Sequence, residues 1–417
     1  LMWMSLQKQA ELRNLWLKDR LTNVLPDIMR RDNMSMWIVS AREYNEDPVL
    51  MSMLPEPSMS ARRRTVLAFA FDQEGKFRKM SLGRYPYSGY YEQMWDPSKE
   101  SQADALQRVV NEMNPESIGL NMSALSGLAD GLSHCEYDGI MSTLPQKFAR
   151  RVRSAEKVAV GWIETRSLPE LTAYPMLVDM GHQLIKELYS RDVIRPGITT
   201  TDDAVWWLRE RMQQMGVRAW FQPTVEIQYP GSNLAPAPGM DKEAARKLIL
   251  PGDLVHVDVG FGALGLMTDQ QQHAYVLRQG ETQAPAGLAK ALREGNRLQE
   301  IVMEQMHLGR TGNQILKAVR EQAFTEWIQP SVYSHPLGTH GHSAGTVIGM
   351  WDSQQSVPGL GDYPLHDSTA YSIELNVQVT VPEWDNQYVR IALEEDAALV
   401  GGKMAWMSGR QTRLHLI

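Results

Sequence analysis

Asp258, Asp269, His342, Glu374 and Glu395 lie in separate strand-like segments of the last two-fifths of the chain. One imidazole and four carboxylates suit a pair of divalent cations better than a packing role, because hard oxygen donors match such ions. Adjacent cations share bridging carboxylates and hold a hydroxide between them that can attack a carbonyl at neutral pH. The expectation is a two-metal hydrolase.

The positioning elements follow from alternation. Pro251-Gly252-Asp253 opens a strand over 254–261, with Val255, Val257, Val259 and Phe261 on one face and His256, Asp258 and Gly260 on the other. A turn over 262–265 leads into a return strand over 266–277 that carries Asp269, so a hairpin can bring both aspartates to one cation. Two turn aspartates are the plain alternative. Gly341-His342-Ser343-Ala344-Gly345 follows His335 and His340, and its small residues let backbone come close to a ligand. Over 371–380, Ile373, Leu375, Val377 and Val379 share one face, and Ser372, Glu374, Asn376 and Gln378 the other. A solvated face is the default for that polar set. Over 388–400, alternation puts Glu395 with Ile391 and Leu393, and Glu394 with Arg390. A carboxylate among aliphatics is costly unless it is paired or binds a metal, which selects Glu395. A bulge would exchange the two glutamates.

Upstream, the spacing predicts a helix over 7–31 with a kink or break at Pro26, strands over 35–39, 65–71 and 77–82, and a helix over 101–113 with Ser101 as N-cap. A short strand at 118–120 completes one α/β domain over 1–153. A second domain spans 154–417, with helices over 169–189, 201–215, 284–307 and 313–328. Pro175 should kink or delay the first of these.

Bulk properties narrow the class. At 417 residues the chain suits two domains, and 43% hydrophobic content is ordinary for a globular protein. A net charge of -7 argues against a nucleic-acid or acidic-membrane binder, and no apolar run is long enough to span a bilayer. The single cysteine, Cys135, excludes an intrachain disulfide and a multi-cysteine zinc site, and is expected to be a packed small residue. The chain opens Leu1-Met2-Trp3, so a processed or trimmed form is expected. The compartment stays open: cytoplasmic is the first expectation, and periplasmic or secreted holds if a signal peptide was removed.

Taken in order, Gly252-Asp253-Leu254 to Asp258-Val259-Gly260, Thr268-Asp269, Gly341-His342-Ser343-Ala344-Gly345, Ile373-Glu374 and Glu395-Asp396 resemble the Asp-Asp-His-Glu-Glu pattern of the creatinase/aminopeptidase P metallopeptidases, in the prolidase-like branch. The resemblance covers roughly 155–417 and implies an α+β pita-bread catalytic domain behind a creatinase-type N-terminal α/β domain. It implies that Asp258 binds one metal, that Asp269 and Glu395 bridge two, and that His342 and Glu374 complete the other shell. Mn²⁺ is the first expectation, with Co²⁺, Fe²⁺ or Zn²⁺ as substitutes. Glu374 would also shuttle a proton from the attacking water to the leaving amine. The implied protein is a homodimeric exopeptidase for short peptides, an Xaa-Pro aminopeptidase or dipeptidase.

Some expected residues are absent. Prolidase-like relatives carry an accessory histidine seven residues after the metal histidine, but Gly349 stands there counting from His342. No histidine occurs from Tyr229 to Asp241, where Ser232-Asn233-Leu234-Ala235-Pro236-Ala237-Pro238 stands instead. The arginine expected two before the last glutamate is Leu393 here, with Arg390 nearby. His340 is the first choice for a substitute catalytic imidazole, ahead of His335, His256 and His273. Two other readings compete: a creatinase-like C–N hydrolase using histidine without metals, and a non-catalytic pita-bread protein that binds a partner. Crowded carboxylates argue against the first, since they repel without cations; the missing histidines favour the second.

Overall fold

A computed structural model describes residues 3–232 and 246–417 and forms two compact units, Met4–Ser167 and Leu168–Ile417. The boundary falls later than position 154 because the helix Glu156–Glu164 packs on the helix Leu25–Arg31 and so belongs with the first unit.

In the first unit a six-stranded sheet runs, edge to edge, Glu92–Gln93, Phe77–Ser81, Arg64–Phe71, Met36–Arg42, Ile118–Leu120, Val152–Ser154. The predicted helix at 101–113 is Gln102–Met113, with Ser101 accepting from the Asp104 N–H. It lays Leu106, Val109, Val110 and Met113 against Val66, Ala68, Met36 and Ile38 of the sheet. The first helix does not break at Pro26. Leu6–Asp19 widens into a π turn at Arg20–Val24 and continues as Leu25–Arg31, so the wider turn absorbs the donor that proline lacks. Cys135 is exposed, on the outward side of the helix His134–Thr143.

The second unit contains helix α1 (Leu168–Leu188), which continues through Pro175, and α2 (Thr201–Met215), where Thr200 and Asp203 form a capping box. Its main strands are β1 (Thr224–Gln228), β2 (Leu254–Val259) and β3 (Gln270–Tyr275). After α3 (Ala286–Gln305) and α4 (Gly312–Thr325) come β4 (Pro330–Val332), β5 (His335–Leu337), β6 (Thr369–Val381), β7 (Gln387–Val400), β8 (Lys403–Trp406) and β9 (His415–Leu416). These nine strands form one sheet in the order β4-β6-β7-β3-β2-β1, while β5 pairs with β6, β8 with β7 and β9 with β3. A separate small sheet joins Arg218–Ala219, Phe261–Ala263 and Leu266–Met267, so Asp269 stands just before β3 rather than inside a long return strand.

Alternation decides which face is which. Ile373, Leu375, Val377, Ile391 and Leu393 pack against Leu288, Leu292, Ile301, Ile315 and Val319 of α3 and α4. Removing those side chains from water is the main drive for the layer. The opposite face therefore carries the polar row. No helix among the described residues is long and apolar enough to cross a membrane.

Candidate metal centre

Strand register assembles the centre. Asp258 pairs with Gln271, Gln271 with Glu394, and Glu394 with Glu374, so these four form one row across β2, β3, β7 and β6. Asp269 enters from the start of β3, where its N–H donates to Asp396 at 3.1 Å. His335, opposite Ser372 in the β5–β6 pairing, supplies the imidazole. Its Nε2 lies 3.3 Å from Glu394, 3.5 Å from Asp269 and 3.9 Å from Glu374. The Nδ1 is 3.0 Å from the Pro336 carbonyl and donates to it, which aims Nε2 at the carboxylates. The Gln271 amide donates to both Glu374, at 2.9 Å, and Glu394, at 2.7 Å.

Three donor triads result among the described residues, each with its ligand atoms mutually within 4.8 Å: Asp258–Asp269–Glu394, His335–Glu374–Glu394 and Asp269–His335–His342. The structure thus brings together Asp258, Asp269, Glu374 and His342 of the expected set. Glu395 does not join them. It pairs with Ile373 and projects from the other face of β7, and Glu394 stands in the row instead. His342 is exposed at the edge of the cluster, with its ring 4.8 Å from His335, 5.2 Å from Trp220 and 6.0 Å from Tyr333. His340 is in none of the triads; its Nδ1 lies 3.2 Å from the Thr339 hydroxyl.

His342 stands seven residues after His335. The accessory spacing sought at Gly349 is therefore present once the count starts from His335. Gly341 lets this loop pass under the Trp220 indole, since a Cβ there would run into the ring. His256 bonds Gln271 at 2.9 Å and His273 accepts from the Ala392 N–H at 3.0 Å, so both lie on the face of the row, one step along β2 and β3 from it. Ala392 now stands two before the glutamate in the row, so the expected arginine is still missing. Residues 233–241 of the stretch without histidine lie outside the described residues.

Electrostatics explain what the cluster lacks. Burial holds the Asp269 carboxyl well above its ordinary range, and Glu394, Asp258 and Asp396 push it further. Glu374 is raised likewise, by burial and then by Glu394. Burial also opposes ionised Glu394, but His335, Gln271 and Ser372 together outweigh it and hold that carboxyl low. Burial depresses the His335 imidazolium, yet Glu394 and Glu374 carry it up to about 9. Burial and neighbouring His335 lower His342. One imidazolium faces four carboxylates, and among the described residues the buried Asp269 Oδ1 has no hydrogen-bond partner. The donor set fits divalent cations, which replace the protons and relieve the repulsion.

A pH dependence follows for metal-depleted protein. His335 rises from an ordinary value near 6.5 to about 9, so its stabilisation is full below 6.5 and is lost as pH climbs through 9. Raised Asp269 and Glu374 also favour the protonated fold and lose stability in the same direction. The Tm of metal-depleted protein is expected to fall by roughly 5 °C between pH 6.5 and 9. A flat or rising Tm over that window, read by calorimetry, contradicts the charge arrangement.

Comparison with known proteins agrees with this geometry. No curated protein matches the sequence. In structure the chain resembles an X-Pro aminopeptidase from Thermotoga maritima, with a TM-score of 0.65 and 13% identity, covering 94% of this chain and 100% of that one. It resembles an Xaa-Pro dipeptidase from Bacillus anthracis, with a TM-score of 0.62 and 14% identity, over 97% and 100%. The N-terminal domain of the FACT complex subunit SPT16 from chickpea is also similar, with a TM-score of 0.54 and 11% identity, over 98% and 97%. At such identities the likeness establishes the two-part pita-bread architecture and leaves the chemistry to the side chains. The sequence model of metallopeptidase family M24 matches residues 178–400, more than half of the chain and the whole of the acidic row with its histidines. With that match and the pita-bread architecture around the row, the chain belongs to metallopeptidase family M24.

Proposed function

We propose that the protein is a dinuclear-metal exopeptidase for short peptides that cleaves Xaa-Pro bonds as an aminopeptidase or dipeptidase. One observation carries the reading: two donor triads share Glu394, and a third donor, Asp269, belongs to the first of them and lies beside the imidazole of the second. In this arrangement Asp258, Asp269 and Glu394 would hold one cation, and His335, Glu374 and Glu394 would hold the other. Bound cations, Mn²⁺ first among them, would supply a nucleophile from water at neutral pH and polarise the scissile carbonyl.

The remaining roles fall to the chain's own side chains. Glu374 lies at the half-buried rim of the row, and its raised affinity for a proton suits it to take one from water and pass it to the leaving amine. His342 reaches outward from the cluster, where a neutral imidazole can hydrogen-bond the substrate. Trp220 meets Phe221 edge-to-face at 4.4 Å and with Tyr333 walls the approach to His342. Such rings offer an apolar face for a pyrrolidine and need no N–H from the tertiary Xaa-Pro amide. The homodimer implied by family resemblance belongs to the same proposal, and light scattering reads it.

The test compares Xaa-Pro with Xaa-Ala peptides before and after chelation. Hydrolysis of the Xaa-Pro set is expected, lost on chelation and restored by Mn²⁺; no hydrolysis by metal-loaded protein would reject the reading. His342→Ala should lower kcat/KM by about 10²-fold, in the range of a lost acid–base or electrostatic group. His340→Ala should change it less than about threefold, and equal losses in the two variants would remove His342 from its assigned role.

A further inference from the structure

The sheet has a weak point where the centre sits. Strands β6 and β7 pair from Thr369–Leu399 to Val381–Gln387, whereas β3 and β7 pair at one position, Gln271 with Glu394. Asp258 and Asp269 lie on one side of that seam, Glu374 and Glu394 on the other. Whatever fixes the seam fixes the separation of the two halves of the donor set.

A polar cluster lies directly behind it. Glu395 is fully buried and accepts three hydrogen bonds: from His182 Nε2 at 2.6 Å, from Gln272 Nε2 at 2.6 Å and from the Gln411 N–H at 3.0 Å. Gln272 sits on β3 and Glu395 on β7, so the 2.6 Å bond between them crosses the seam from the rear, as Gln271 crosses it from the front. His182 comes from α1, and Gly181 beside it is what allows the approach. A Cβ at 181 would collide with the Gln270 side chain, whose amide donates to the Val178 carbonyl of α1 at 3.1 Å. Three successive glutamines thus tie β3 to the helix, to the front row and to Glu395.

A buried carboxylate is costly and is often replaceable by apolar packing without loss of stability. Its place one residue from Glu394 therefore calls for another reason. We propose that Glu395, held by His182, is a positioning residue that locks β3 against β7 from behind and so sets the spacing of the donor row. The proposal rests on the ligand reading above, and its test is built to fail separately.

The variant His182→Ala is the first probe, because His182 is at the partly exposed end of the cluster and its loss leaves Glu395 with two donors. Amide hydrogen exchange of metal-depleted protein should speed up at β3 and β7 relative to α3 and α4. Titration calorimetry with Mn²⁺ should show affinity falling about tenfold, as for other groups that orient ligands, with kcat reduced and KM within about twofold. His182→Gln, which keeps a neutral donor, should recover part of the affinity. Glu395→Gln is the second probe and should act in the same direction. Unchanged exchange at β3 and β7 overturns the lock whatever the metal result, and a lower Tm with unchanged Mn²⁺ affinity does so too. Wild type that binds no Mn²⁺ and cleaves nothing rejects the functional reading instead, while the exchange result still judges the lock.

Discussion

Glu374→Gln is expected to lower kcat by about 10²–10⁴-fold, the usual contribution of a positioned acid–base group, while KM stays within a few-fold. The substitution keeps volume and a carbonyl oxygen that can still accept from Gln271, so the row remains assembled. It removes the one rim carboxyl whose proton affinity burial and Glu394 have raised. Because it also deletes a like charge from the cluster, metal-depleted Glu374→Gln should be at least as stable as wild type. That stability separates the prediction from misfolding. A kcat within about threefold of wild type, in a variant of normal Tm, would take Glu374 out of the proton transfer.

Alternation in the sequence puts Glu395 among aliphatics and Glu394 on the polar face, as β7 folds; what the register overturns is the choice of Glu395 over Glu394 as donor. Asp258 and Glu374 were legible because each breaks a run of alternating aliphatics, and period-two alternation survives in a strand that buries one face. Glu395 was chosen because it shares a face with Ile391 and Leu393 and must be compensated. Compensated it is, but by His182, Gln272 and Gln411, all distant in sequence. Burial cost flags a special carboxylate without saying what relieves it. Register would have separated the two glutamates. The turn around Pro382–Trp384 makes β6 and β7 antiparallel neighbours, and pairing outward from Val381 with Gln387 puts Glu374 opposite Glu394.

The histidine was harder to see. His335, His340 and His342 crowd one short segment, and glycines beside His342 made it the natural ligand. The decisive fact is that His335 lies on the three-residue strand β5, whose pairing opposite Ser372 turns the ring into the row. A strand that short leaves no alternation to read. The first helix keeps its expected span, and the kink or break expected at Pro26 takes the form of one wide turn that accommodates the missing N–H.

Glu394 and Glu395 should therefore respond very differently to the same substitution. Glu394→Gln removes the carboxylate common to two triads, so both proposed cations lose a donor at once. It also strips His335 of its closest counter-charge, 3.3 Å away, and leaves Ser372 and Gln271 facing an amide. Losing a group that merely orients a ligand costs about 10–100-fold in metal affinity. A shared donor should exceed that, so Mn²⁺ affinity is expected to drop by more than about 10²-fold and turnover to vanish at ordinary metal concentrations. Glu395→Gln sits behind the strand and should stay near the tenfold level. Calorimetric titration of both metal-depleted variants decides the matter. If Glu395→Gln proves the more damaging of the two, β7 presents its other face to the metals, and the row through Asp258, Gln271, Glu394 and Glu374 is not the centre.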